Sequence, residues 1–173
     1  MTTLVALLRG VNVGGVTIRS AELRELFEEL GFSAVRTVLA SGNVVFEASG
    51  RVADLKPRIE RALGDRFGYD AWVVLITDAK VRAVIEAFPF DADDASRQPW
   101  VVFASEPSVL DELLAVDGLD PDVDPIARGD GVVYWNPVKG TTTDTPFAKL
   151  LARAKFKPTT TNRNLRTLAK LVD

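Results

Sequence analysis

The chain of 173 residues contains no cysteine, no histidine and one methionine. Without cysteine there can be no disulfides, thiolate nucleophiles, or Cys-ligated zinc or iron–sulfur sites. Without histidine the commonest metal ligand and the commonest general base are missing. No metal and no cofactor is expected. Any catalysis would have to rest on Asp, Glu, Lys, Tyr, Ser or Thr, and no carboxylate pair or nucleophile–base arrangement is legible, so enzyme activity stays open. Long apolar runs are also lacking. The only one near the start, residues 4–8, is too short for a signal-peptide core and follows no basic residue, so the sequence reads as cytoplasmic with no membrane partner.

What is present is an ordinary globular composition, 47% hydrophobic and 26% charged, enough for one sizeable core or two small ones. The net charge of -3 conceals a segregation. Between residues 146 and 172 stand Lys149, Arg153, Lys155, Lys157, Arg163, Arg166 and Lys170 with no acid, leaving 14 of the 21 basic residues against all 24 acidic ones elsewhere. Either an anionic partner, nucleic acid included, or the protein's own acidic body answers that basic tail.

The periodicities give an element order. "TLVALL" reads as a buried strand, and "SAELRELFEELGF" as a helix with Ser20 as N-cap and Gly31 as its stop. "AVRTVLA" and "NVVFEA" flank "SGN" as a hairpin. "DLKPRIERALGDRFG" is helical, with Pro57 placed near its first turn, and "AWVVLI" is a strand. Thr77 then caps a helix over "DAKVRAVIEAF".

A Pro-, Asp- and Ser-rich stretch at 91–99 divides a first subdomain, 1–90, from a second, 100–173. The second repeats β-α-β-β-α: "WVVFA", "SVLDELLAV", "DVDPIA", "GVVYW" and "TPFAKLLARA". A helix, "NLRTLAKLV", stands where a further strand would complete the unit. The fold class is α+β, two tandem ferredoxin-like (βαββαβ) subdomains, the second with an extra C-terminal helix. "LVALL" and "WVVLI" are apolar at every position, so both faces of the first sheet must be covered, by the other subdomain or by a second copy in a homodimer.

"RGVNVGG", residues 9–15, is the most suggestive stretch for binding. It approaches a phosphate-binding loop, with Gly10 and Gly15 correctly separated and Thr17 in place, but Val16 occupies the lysine position. It retains backbone N–H groups at Gly14 and Gly15 beside Arg9 and Asn12; alternatively, the glycines serve only a turn. "DPDVDP" imitates a calcium loop but has Pro125 where glycine is required, and reads as a solvated connection. The stacking aromatics of ferredoxin-like RNA readers are missing from "TLVALL", and "SGNVVFEA" carries only Phe46. In "TTTNRNLRT", Arg163 sits near a helix start, where an anion or a carboxylate must compensate it.

"ALLRGVNVGG", "LRELFEELGFSAVRTVLASGNVVF" and the closing pattern of Thr161, Arg163, Asn164, Thr167, Lys170 and Leu171 resemble the bacterial family of uncharacterised proteins catalogued as domain of unknown function 1697. The resemblance spans almost the whole chain. It implies a cytosolic bacterial protein of two ferredoxin-like subdomains and no established activity. Leu165 stands where the family usually has Trp, and Val16 to Arg19 stand where it often has a Lys. The expectation for function is a small anionic, phosphorylated ligand held between the subdomains; the alternatives are nucleic-acid binding through the basic tail and a ligand-free dimerisation or interaction module. Arg9, Asn12, Gly14 and Gly15 would form one side, and Ser41, Asn43, Lys149, Arg163 and Asn164 the other.

Overall fold

The computed structural model describes residues 1–9, 17–39, 42–141 and 143–173. These residues form an α+β fold with two four-stranded antiparallel sheets and six helices, compatible with two tandem ferredoxin-like subdomains. Residue contacts divide the chain into two compact units, Met1–Arg82 with Lys170–Asp173, and Ala83–Ala169.

The first unit contains β1 (Thr2–Leu8), α1 (Ser20–Glu29), β2 (Ser33–Thr37), β3 (Asn43–Ala48), α2 (Val52–Phe67) and β4 (Val73–Thr77). Its strand order is β2-β3-β1-β4. Val5 stands opposite Val45 on one side and Ile76 on the other. Alternation along the strands therefore sends Leu4, Ala6, Leu8, Val44 and Phe46 to one face, where they meet Leu23, Leu26 and Phe27 of α1 and Ile59 and Leu63 of α2. Phe46 anchors this core, edge-on to Phe27 at 5.1 Å and stacked on Phe32 at 4.7 Å.

Val5, Leu7 and Val45 point to the opposite face and are buried as well, as the uninterrupted apolar run in β1 requires. Each such side chain contributes roughly 1.5–3 kcal/mol relative to exposure. Within the unit, the tail returns to this face. Arg36, opposite Val45, donates to the Leu171 carbonyl at 2.6 Å, and Arg82 donates to the Val172 carbonyl.

Helix ends differ from the sequence reading in two places. Ser20 is already helical: Arg19 is the N-cap residue, and its carbonyl accepts the Leu23 N–H at 3.0 Å with no side-chain cap. Gly31 ends α1 as expected, at φ +90°. Pro57 falls in the second turn of α2, because that helix starts at Val52 and its first full-turn bond joins Leu55 to Arg51.

The second unit contains the last four residues of α3 (Asp78–Glu86), then β5 (Trp100–Ala104), α4 (Pro107–Leu114), β6 (Ile126–Arg128), β7 (Val132–Trp135), α5 (Pro146–Leu151), β8 (Thr160–Asn164) and α6 (Leu165–Leu171) as far as Ala169. Thr77 accepts the Lys80 N–H at 3.1 Å and opens α3 as its sequence position indicates. The sheet order, β6-β7-β5-β8, repeats that of the first unit. β8 is the strand the sequence pattern left out: Thr160 to Asn164 pair with Ala104 to Trp100, and α6 follows directly. Residues 91–99 are bonded into this unit. Gln98 donates to the Pro137 carbonyl, the Pro99 carbonyl accepts the Leu165 N–H, and Arg97 bridges to Val138.

The "DPDVDP" connection is not solvated throughout. Asp124 is wholly buried, and only Ile126 and Ala127 of "DVDPIA", with the following Arg128, form strand. Tyr134 and Trp135 are core residues: Tyr134 donates to the Val84 carbonyl at 2.6 Å, and Trp135 packs on Phe147 at 5.2 Å.

Candidate functional site

Two of the residues the sequence singled out, Arg9 and Asn43, stand at one end of the first sheet. At the close of β1 the Leu8 N–H donates to the Gly42 carbonyl at 2.8 Å, and the Arg9 N–H donates to the Trp72 carbonyl at 3.0 Å. The C-terminal end of β1 thus lies between the entrances to β3 and β4. Arg9 and Asn43 are brought to this common edge by strand register alone.

The two side chains have different surroundings. Asn43 is buried, and its amide donates to the Val38 carbonyl at 3.1 Å, closing the β2–β3 connection. Arg9 is half-buried, and its guanidinium meets no carboxylate among the described residues. Burial holds its pKa below the ordinary arginine value, since desolvation disfavours the charged form. Nearby cationic charge is matched: Lys56, 5.5 Å from the Trp72 ring, pairs with Glu60 at 2.6 Å, and Glu60 also accepts the Val73 N–H. Leu39, in the β2–β3 connection, is 52% exposed at φ +60°, a conformation unfavourable for a side chain of this kind. Asn12, Gly14, Gly15 and Ser41 lie outside the described residues.

The remaining predicted site residues belong to the second unit. Lys149 is exposed on α5. Arg163 stands in β8 opposite Val101 and donates to the Thr161 hydroxyl at 2.7 Å and the Asn162 carbonyl at 3.0 Å. Asn164 accepts the Arg166 N–H at 2.9 Å, so its side chain serves the start of α6. Among the described tail cations, Lys155 pairs with Glu112 at 2.5 Å; Lys149, Arg153, Lys157, Arg166 and Lys170 meet no carboxylate.

Sequence reasoning did not find Asn136. Its side chain is 5% exposed, and its Oδ1 has no partner among the described residues. The signal was present only as an amide following "VVYW", which any strand end could carry. The described residues contain no group of three or more His, Cys, Asp or Glu able to hold a metal ion. None of their helices is long and apolar enough to cross a membrane.

The family model described as "Protein of unknown function (DUF1697)" matches residues 1–134. The chain belongs to this family. The match includes the Arg9 edge and stops before the closing pattern from Thr161 to Leu171. Among solved structures, the chain is similar to a conserved bacterial protein from Streptococcus pneumoniae, with 23% identity, 99% of this chain and 97% of that one covered, and a TM-score of 0.84. That likeness concerns the fold. No curated protein matches the chain.

Proposed function

We propose that the protein binds a small anion, a phosphorylated metabolite, at the edge of the first sheet where β1 runs into "RGVNVGG". The observation that carries the reading is Arg9: a half-buried guanidinium, disfavoured by desolvation, with no carboxylate partner among the described residues. A charge in that setting is better accommodated once an anion with several acceptor oxygens arrives. Glycine-rich backbone immediately after a strand supplies further N–H donors in many anion sites. Chemistry on the ligand is not part of the reading. The reading also places the protein in the bacterial cytoplasm and treats its two sheets of equal strand order as a tandem duplication of a ferredoxin-like subdomain.

The test is a thermal-shift and calorimetric screen over inorganic phosphate, sugar phosphates and nucleotides, with the Arg9→Gln variant alongside. Saturable stabilisation of the wild type, weakened at least about tenfold in the variant, is expected. No stabilisation at millimolar ligand, or equal stabilisation of both proteins, refutes it.

A second reading, nucleic-acid binding through the basic tail, draws on a separate observation: most of the described tail cations meet no acid of the protein itself. It requires affinity that falls steeply with salt, and a flat salt response removes it.

A further inference from the structure

Arg9 and Trp72 are cross-strand neighbours. The Arg9 N–H donates to the Trp72 carbonyl at 3.0 Å, which extends by one residue the β1–β4 register in which Leu8 stands opposite Val73. Residues directly opposite in an antiparallel pair carry side chains close enough to share one contact. A ligand that reaches the Arg9 guanidinium at this end of the sheet therefore comes within reach of the indole as well.

Trp72 is held in place before any ligand arrives. Lys56 of α2 lies over the ring with Nζ 5.5 Å from its centroid, and the same ammonium pairs with Glu60 at 2.6 Å. Glu60 also accepts the Val73 N–H at 3.1 Å, so one carboxylate ties the helix to the backbone next to the indole. A cation over the face of Trp attracts the ring, and here that cation is itself fixed. Little side-chain ordering is left for binding to impose.

Only part of the Trp72 surface has a structural duty. The side chain is half-buried, and among the described residues it is not one of those packed on the Phe27–Phe46 core, as Tyr69 and Ala71 just before it are. Its indole N–H donates to no described residue and is not closed off from solvent, in contrast to that of Trp100. The Arg9 guanidinium likewise donates to no described residue and is not closed off. Two reachable groups of different kinds thus stand side by side. One is a planar fork that suits phosphate oxygens; the other is a large aromatic surface with a donor at its edge. Inorganic phosphate or a sugar phosphate answers the first alone. A ligand that answers both carries an anionic group and a flat ring.

We infer that the ligand at the Arg9 edge is a nucleoside phosphate, with its phosphate on Arg9 and its base against the Trp72 ring, and that Trp72 sets the preference for nucleotides over sugar phosphates. The inference rests on the anion reading of Arg9 and adds the ring to it. Every base presents a π face, so the presence of a base should matter more than its identity.

AMP and ribose 5-phosphate, which share phosphate and sugar and differ in the base, are the probes, titrated calorimetrically into the full chain. The wild type is expected to bind AMP at least about tenfold more tightly than ribose 5-phosphate. Trp72→Leu should erase that advantage while ribose 5-phosphate affinity stays within about threefold, and Trp72→Phe, which keeps a ring, should retain most of it. AMP should also quench the indole fluorescence saturably, and the quench should disappear in Trp72→Phe, where Trp100 and Trp135 remain. Arg9→Gln should weaken both probes. Ribose 5-phosphate bound through Arg9 with no added affinity for AMP overturns this inference and leaves the anion site standing. An AMP preference that survives Trp72→Leu overturns it too, since the base would then lie elsewhere. If Trp72→Leu does not fold, a quench that persists in Trp72→Phe overturns it on the same ground. Binding of neither probe overturns this inference and the anion reading together.

Discussion

The Asp124 carboxylate, with no solvent exposure, accepts the indole N–H of Trp135 across the "DPDVDP" connection. Its other oxygen accepts the Phe147 N–H at 3.0 Å, at the start of α5. One side chain therefore joins the β6 approach, the end of β7 and α5. Replacing it by Ala strands two buried donors, and hydrogen bonds to a charged group are worth roughly 1.5–3 kcal/mol each. Asp124→Ala should destabilise the second unit by about 3 kcal/mol or more, and Asp124→Asn, which keeps an acceptor, by clearly less. Urea unfolding followed by tryptophan fluorescence measures both. A loss for Asp124→Ala within about 0.5 kcal/mol would mean that the contact carries little of the fold.

Tyr69 presents the opposite case, a buried hydroxyl with no partner among the described residues. Burial pushes its pKa from 10.0 up to about 12. Because the folded value lies above the unfolded one, the native state holds the proton more tightly, and stability falls as pH rises between about 10 and about 12. Below pH 10 that contribution is constant. Tyr69→Phe removes both the titration and the unpaired hydroxyl. It should be neutral or stabilising at pH 7 and should flatten the alkaline limb of a stability–pH profile. Tyr134 is raised too, by burial and then by the Asp130 charge, so part of the alkaline loss should survive the substitution.

The first unit was legible because its elements bury one chemical kind of residue at a regular period. Leu23, Leu26 and Phe27 mark α1, and the apolar run of β1 calls for two covered faces, which the burial of Leu4, Ala6, Val5 and Leu7 matches. β8 was not legible. Its buried positions, Thr160 and Thr161, are polar and lie on opposite faces, so the edge strand has the sequence pattern of the polar start of a helix. Asp124 was misread for a related reason: flanked by Pro and Asp it resembles a solvated turn, and its donors come from Trp135 and Phe147, distant in sequence. At the candidate site, Arg9 could be named from the strand–glycine junction. The local duties of Asn43 and Asn164 depend on chain geometry that no pattern encodes.

The tail of the chain is held within the first unit by carbonyl capture, with Arg36 of β2 on Leu171 and Arg82 of α3 on Val172. Leu171 is 1% exposed, and truncating a buried leucine to Ala costs about 2–5 kcal/mol. Leu171→Ala should therefore lower first-unit stability in that range, whereas Arg36→Met should cost about 0.5–1.5 kcal/mol, the value of one hydrogen bond. Hydrogen exchange resolves the effect by location: protection should fall in β1–β3 pairs before it falls in β5–β7 pairs. Equal loss in both sheets would show that the tail does not belong specifically to the first unit.

Arg9 permits a test in which stability and binding move in opposite directions. An arginine stays protonated over the whole range in which proteins remain folded, so desolvating it imposes a cost that does not vary with pH. Arg9→Met removes that cost along with the charge. Without ligand, the variant should match or exceed the wild type in thermal midpoint at every pH. With millimolar phosphate or a sugar phosphate, the wild type alone should gain, by about 2.7 kcal/mol when ligand reaches a hundredfold excess over its dissociation constant. The two stability curves, plotted against ligand concentration, should therefore cross. If Arg9→Met is less stable at all concentrations, Arg9 supports the end of the sheet and anion binding is not its role. If it is more stable at all concentrations, the cost of burying Arg9 has no anion to offset it, and the proposed site loses the residue on which it rests.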